Sequence, residues 1–175
     1  MHVFLQGPKN IGKSTVIAKT LDIIMAETPL KLGGFITWNG GKSDPHVYMR
    51  QACSDMEGES YCLANYDIVK GGLISNISVF ENEGVSILDE STDADLIIMD
   101  ELGFLESSAP MFRKTILNVL AGGVPVLGVL RLGDVPWHAD IKQNPMVSLY
   151  DVSKNNRDDL PRELAGVMQR NLDKL

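Results

Sequence analysis

The residues best able to do chemistry lie near the start of the chain. Gly7-Pro8-Lys9-Asn10-Ile11-Gly12-Lys13-Ser14 has the spacing GxxxxGK[ST], and Thr15 follows it. Glycines at both ends of this run let the backbone curl until its N–H groups converge, an arrangement that suits phosphate oxygens. A helix starting at Lys13 would add the positive end of its dipole. Lys13 would reach the β- and γ-phosphates, and the Ser14 hydroxyl would ligate Mg²⁺. The same glycines could be only a turn before a helix. The apolar run before them (HVFLQ) and the amphipathic pattern after them favour the phosphate reading.

A phosphate loop of this kind needs a carboxylate at the end of a buried strand to hold Mg²⁺. DLIIMDEL (95–102) is a near-continuous apolar run that ends in acid, as expected of a strand buried on both faces. Asp100 suits the metal role. Glu101 should point to the other side, because strand side chains alternate, and it could orient and deprotonate an attacking water. A merely solvated acidic strand end is the alternative.

Arg131 ends the next apolar run, VPVLGVL (124–130). Ligands of open α/β sheets bind at the carboxyl ends of strands, so Arg131 could neutralise charge on a transferring phosphoryl group; it could equally be a surface arginine. Asn155-Asn156-Arg157-Asp158 precedes the last helical pattern. Asn156 could be that helix's N-cap; with Arg157 it could instead contact a base or ribose. His2, His46 and His138 show no metal spacing. Trp38 and Tyr48 could be core, the commoner place for a meander aromatic, or could line a pocket. The deviant loop of MinD-like ATPases carries an extra lysine just after its first glycine. Here that place is Pro8.

These groups need elements to hold them in place. Residues 2–6 read as a strand and 13–27 as a helix with Ile17, Leu21, Ile24 and Met25 on one face. Residues 33–66 change character: GGFITW, HVYMRQAC and ESYCLANY are short β-rich runs separated by the turn formers NGGKSDP and SDMEGES, a small antiparallel meander. KGGL (70–73) reads as a loop, and 78–90 as a helix weakened by Gly84. PMFRKTILNVLAG is a helix with Phe112, Ile116, Val119 and Leu120 inward. PWHADIKQ is a helical turn, MVSLYDV (146–152) a strand, and a last helix runs from about Asn156. Strand–helix alternation predicts a mainly parallel sheet with helices on both faces, a three-layer α/β sandwich.

At 175 residues, the chain fits a single domain spanning 1–175. Its 44% hydrophobic and 22% charged composition argues against disorder. A net charge of −7 lacks the basic footprint of a general nucleic-acid binder. No apolar run approaches the roughly 18 residues of a membrane span, and the opening MHVFLQGPKN lacks secretory-signal features. Cys53 and Cys62 fit neither CxxC nor a zinc pattern and read as reduced thiols of a cytoplasmic protein.

Gly7–Thr15, Gly34-Phe35-Ile36-Thr37, Asp100-Glu101-Leu102-Gly103 with Glu106, and Asn156-Arg157-Asp158 occur in this order. Together they resemble the THEP1-type nucleoside-triphosphatases over nearly the whole length. The DE-[IL]-G-x-x-E segment and the late NRD carry the likeness better than the phosphate loop does. The resemblance implies a RecA-like P-loop NTPase fold with an added meander, and Mg²⁺-dependent hydrolysis of nucleoside triphosphates such as ATP and GTP to diphosphate and phosphate, with loose base selectivity. It places phosphate-site roles on Gly12, Lys13 and Ser14 and the acidic pair on Asp100 and Glu101. The chain departs from the family pattern at Trp38-Asn39-Gly40-Gly41, where a charged segment usually continues the strand.

Two other functions would use the same loop. A small-molecule or nucleotide kinase needs an acceptor pocket and commonly an arginine-bearing lid, yet Arg50 is the only arginine in the first 112 residues. A nucleotide-dependent switch that reads guanine would need N-K-x-D; Ser153-Lys154-Asn155-Asn156 lacks the leading Asn and the final Asp.

Overall fold

The computed structural model describes residues 1–53, 58–69 and 71–173. Its strands are β1 (His2–Gln6), β2 (Leu32–Asn39), β3 (Val47–Gln51), β4 (Ser60–Asp67), β5 (Gly72–Ser75), β6 (Leu96–Leu102), β7 (Val126–Leu130) and β8 (Val147–Asp151). Its α-helices are α1 (Lys13–Glu27), α2 (Ile77–Val79), α3 (Val85–Asp89), α4 (Pro110–Ala121), α5 (His138–Lys142) and α6 (Leu160–Leu172). All eight strands join one sheet in the order β5-β4-β3-β2-β6-β7-β1-β8. The pairs β2·β6, β6·β7, β7·β1 and β1·β8 are parallel; β2·β3, β3·β4 and β4·β5 are antiparallel. The meander therefore continues the parallel sheet through β2, and the whole is a P-loop α/β sandwich of three layers, RecA-like in placing one strand between β1 and β6.

Side-chain alternation splits the core in two. Val3 and Leu5 of β1, Leu96 and Ile98 of β6, and Leu127 and Val129 of β7 pack with Val16, Ile17 and Ile24 of α1 and with Leu160, Leu164 and Met168 of α6. Phe4, Ile97 and Met99 face the other way, onto Phe112, Ile116 and Leu120 of α4 and Ile141 of α5. A strand buried on both faces reads as a continuous apolar run, and here each face has its own helices.

Four expectations are corrected. Gly72 and Leu73 of the KGGL loop begin β5, paired with β4 through Tyr66↔Leu73 and Asp67↔Gly72. The helix over 78–90 is interrupted by a π-helical turn, Phe80–Gly84, where Gly84 lies so close to the Phe112 ring that a Cβ would come within 2.8 Å. The last helix starts at Leu160 rather than near Asn156. Asn156 is not its N-cap: its side chain accepts the Ser153 N–H at 2.8 Å and donates to the Asp151 carbonyl at 2.8 Å, closing the loop after β8. Residues 54–57 of the SDMEGES turn and Lys70 of KGGL lie outside the described residues.

Gly34 shows how tightly β2 meets β6. Its φ is +81°, and a Cβ would lie 2.0 Å from the Ile98 carbonyl oxygen. Gly34→Ala therefore combines left-handed strain with a backbone clash that no rotamer relieves. Urea unfolding should show a loss of about 3 kcal/mol.

Candidate active site

The loop 7–12 connects β1 to α1, and its conformation depends on its residue types. Gly7 (φ +154°), Asn10 (φ +62°) and Gly12 (φ +108°) take positive φ, which glycine and asparagine tolerate best. A Cβ on Gly7 would lie 2.6 Å from the Val152 carbonyl oxygen, so the loop is also clamped by the end of β8. Lys13 opens α1 with its side chain buried, donating to the carbonyls of Gly7 and Pro8 at 3.0 Å each.

Alternation along β6 puts Asp100 on the face shared by Leu96 and Ile98, the face that carries α1. Asp100 accordingly meets the first turn of that helix: the Ser14 hydroxyl donates to Asp100 Oδ1 at 3.3 Å. The Thr37 hydroxyl of β2 donates to the Asp100 carbonyl at 3.0 Å.

Glu101 departs from alternation. It has φ +59°, and the β6·β7 register shifts between Met99 and Leu102, so that Leu102 pairs with Leu130. This is a bulge. Leu102 takes the buried place that Glu101 would have filled, and Glu101 turns into the cleft beside Asp100 with 45% of its side chain exposed. The expectation that the two carboxylates point to different sides is corrected: both line one cavity. A left-handed glutamate costs of the order of 1–3 kcal/mol, and such strain clusters at functional sites.

Arg131 follows β7 directly. Its Nη1 donates to Glu101 Oε1 at 3.3 Å, and its guanidinium lies 4.6 Å over the Phe104 ring. Gly7, Lys9, Asn10, Gly12, Lys13, Ser14, Thr15, Asp100, Glu101 and Arg131 line a common cavity of about 610 Å³. Pro8 and Ile11 belong to the loop without lining it. Asn156 and Arg157 also lie off the cavity; Arg157 flanks the loop's outer side, donating to the Ile11 carbonyl at 3.4 Å.

Burial dominates the electrostatics here. Asp100 is only 7% exposed, and its pKa rises from 3.8 to about 6, chiefly by desolvation and then by the nearby Glu101 charge; the Ser14 hydrogen bond, the Thr37 backbone and Lys13 oppose the shift. Desolvation likewise lowers the Lys13 pKa, against the pull of Glu101 and Asp100. A buried carboxylate with a second one beside it, and a hydroxyl at 3.3 Å, is a donor set suited to a hard cation. Mg²⁺ commonly takes one or two protein oxygens and fills its shell with phosphates and water, so the pair fits it. Among the described residues no group of three or more His, Cys, Asp or Glu could hold a metal by itself.

Sequence reasoning from the residues alone missed the wall made by Gly103–Glu106. Glu106 Oε2 accepts the Gly103 N–H at 2.9 Å, and the Gly103 carbonyl accepts the Trp137 indole N–H at 2.9 Å. Gly103 in turn lies against Arg131, since a Cβ there would come within 3.1 Å of Arg131 Cδ. Glu106 is 3% exposed, and burial pushes its pKa from 4.5 to about 7. Between those values the folded protein holds a proton that the unfolded chain has released. Its favourable contribution is thus fully present below about pH 4.5 and is lost as pH rises through 7. Glu106→Gln keeps an acceptor oxygen and abolishes this titration. Chemical unfolding of the metal-free proteins should show the variant gaining about 3 kcal/mol on wild type between pH 5 and 8. His2 and His138, both depressed to about 4 mainly by burial, act in the opposite sense but cancel in the difference.

A family model described as NTPase matches residues 2–165. The chain belongs to this NTPase family. Among curated relatives of this NTPase, the nucleoside-triphosphatase THEP1 of Natranaerobius thermophilus is 26% identical over 178 residues, covering 98% of each chain. That of Thermofilum pendens is 29% identical over 176 residues, covering 94% of this chain and 93% of its own. The crystal structure of THEP1 from Aquifex aeolicus superposes with a TM-score of 0.78 at 21% identity, over 97% of this chain and 100% of that one. The solution structure of a human cancer-related nucleoside triphosphatase gives 0.76 at 20% identity, over 97% of each. Both share the NTPase fold. Among the described residues no helix is long and apolar enough to cross a membrane.

Proposed function

We propose that this chain is a Mg²⁺-dependent nucleoside-triphosphatase of the cytoplasm, acting as a single domain and converting ATP, GTP and other nucleoside triphosphates to the diphosphate and phosphate. One observation supports this most: the Lys13 side chain, the Ser14 hydroxyl and the Asp100 carboxylate meet in one cleft, with Ser14 and Asp100 3.3 Å apart. The relatives, nucleoside-triphosphatases by name, point to the same activity.

The amides of residues 8–14 and the Lys13 ammonium grip the phosphates. Ser14 and Asp100 would hold the metal. When bound, Mg²⁺ neutralises charge on the β- and γ-oxygens and helps to align them. Glu101, free of the sheet at its bulge, orients the attacking water and accepts its proton. Arg131, held over Phe104 and against Glu101, stabilises charge on the transferring phosphoryl group. Arg157, beside Ile11 and Gly12, steadies the loop near the nucleoside end, with Asn156 fixing the turn that carries it.

The test is phosphate release from the four common triphosphates by purified protein, with Mg²⁺ and with chelator. The expected result is turnover of several bases that falls to background on metal removal and returns when Mg²⁺ is restored. Nucleotide binding without release would favour a switch.

A further inference from the structure

The cavity that begins at the phosphate loop does not end at the carboxylates. Its lining follows the strand order across the sheet: loop residues after β1, then Asp100 and Glu101 of β6, Thr37 and Trp38 of β2, Val47 of β3, Leu63 of β4 and Leu73 of β5. The chemistry of the wall changes along the way. The β1–β6 end is amide, hydroxyl and charge. The meander side is lined by the edge of the core cluster, Val47, Leu63, Leu73 and Leu105, with Trp38 of β2 and the Glu106 carboxyl also on the wall, while Phe104 stays under Arg131.

The direction of the triphosphate decides what this far end can be. In a phosphate loop the amides cradle the inner phosphates, while the lysine, the serine-bound metal and the strand-end carboxylate gather at the terminal one. The terminal phosphate therefore points toward β6. The nucleoside runs the other way, toward β8, whose loop carries Asn156 and Arg157 off the cavity. The apolar chamber, on the meander side of Asp100 and Glu101, would then lie beyond the terminal phosphate, where a nucleophile approaches in line. Water needs no apolar chamber there. The whole cavity, at about 610 Å³, is of the size that a small organic ligand occupies.

We propose that this chamber binds a small alcohol with an apolar or aromatic body, whose hydroxyl takes the γ-phosphoryl group in place of water. The alcohol oxygen bonds to the γ-phosphorus as the bond to the β,γ-bridging oxygen breaks. Nucleoside diphosphate leaves with that electron pair, and the hydroxyl proton passes to a wall carboxylate, Glu101 or Glu106, and on to solvent. The products are a phosphate monoester and nucleoside diphosphate. The inference rests on the proposed phosphate site, and hydrolysis is what that site does when water fills the chamber. Glu106 suits the proton acceptor's part: it is buried in the wall, and its pKa of about 7 is near that of an efficient general base.

Benzyl alcohol is a suitable probe, with a ring for the apolar end and one primary hydroxyl. Methyl-labelled protein would be titrated with it, and separately with adenosine, at millimolar concentration. Phosphorus NMR would follow Mg·ATP with and without the alcohol. The expected result is that benzyl alcohol shifts the methyls of Val47, Leu63, Leu73 and Leu105, adenosine leaves them in place, and benzyl phosphate accumulates alongside ADP. Leu73→Gln, at a partly exposed lining position, should lower the ratio of benzyl phosphate to free phosphate roughly tenfold. Unmoved methyls at all four residues would overturn the proposal. So would adenosine shifting them, which would make the chamber the base site, or benzyl alcohol binding without formation of the ester. Phosphate release from Mg·ATP alone reads the hydrolytic site separately, so loss of that activity with the methyl shifts and ester intact would count against the triphosphatase reading and not against the chamber.

Discussion

Lys13→Ala should abolish measurable turnover of Mg·ATP, a fall of roughly 10³-fold or more. The lysine is the cation carried inside the loop itself, buried at the start of α1, with its ammonium 3.0 Å from the Gly7 and Pro8 carbonyls. Removing it takes away both the charge that meets the terminal phosphates and the internal tie that shapes the loop. Binding and catalysis should therefore fall together. Phosphate release, read beside a thermal melt that shows the variant folded, checks this. Activity within about tenfold of wild type would mean that the loop does not cradle the reacting phosphates.

Glu101→Gln should act differently. Nucleotide binding should survive, and kcat should drop by roughly 10² or more. Glutamine has the same length and can still accept from Arg131, as Glu101 does at 3.3 Å. It also meets the same left-handed strain at φ +59°, so the bulge should be no more disturbed than in wild type. Only the capacity to take a proton is lost. Single-turnover phosphate release with saturating Mg·ATP separates the chemical step from binding. Wild-type rates would remove Glu101 as the base and shift attention to Glu106.

The sequence made the phosphate loop and the strand that carries Asp100 legible for one reason. Both rest on local regularities, a fixed glycine spacing and an apolar run with alternating faces. In the structure, alternation from Leu96 through Ile98 puts Asp100 on the side of α1. The same rule misplaced Glu101, because a bulge made without glycine leaves no mark in residue types. Its cause is long-range: Leu102 pairs with Leu130 and takes the buried place. β5 was hidden for a related reason. Its two leading residues, Gly72 and Leu73, look like a loop, and they become strand through pairing with Asp67 and Tyr66 of β4. Asn156 resembled a helix cap because asparagine serves both caps and turns; only the positions of Asp151 and Ser153 decide between them. Glu106 entered through family resemblance. Its burial and its bond to Gly103 are tertiary facts.

The central claim is that the turn after β1 grips a polyphosphate whose metal is held by Ser14 and Asp100. Calorimetric titration of the purified protein with Mg²⁺ and the non-hydrolysable β,γ-imido analogue of ATP tests it most directly. Saturable heat at one nucleotide per chain, lost in Lys13→Ala and strongly weakened by chelator, is the predicted result. No heat, or heat unchanged by Lys13→Ala, would contradict it.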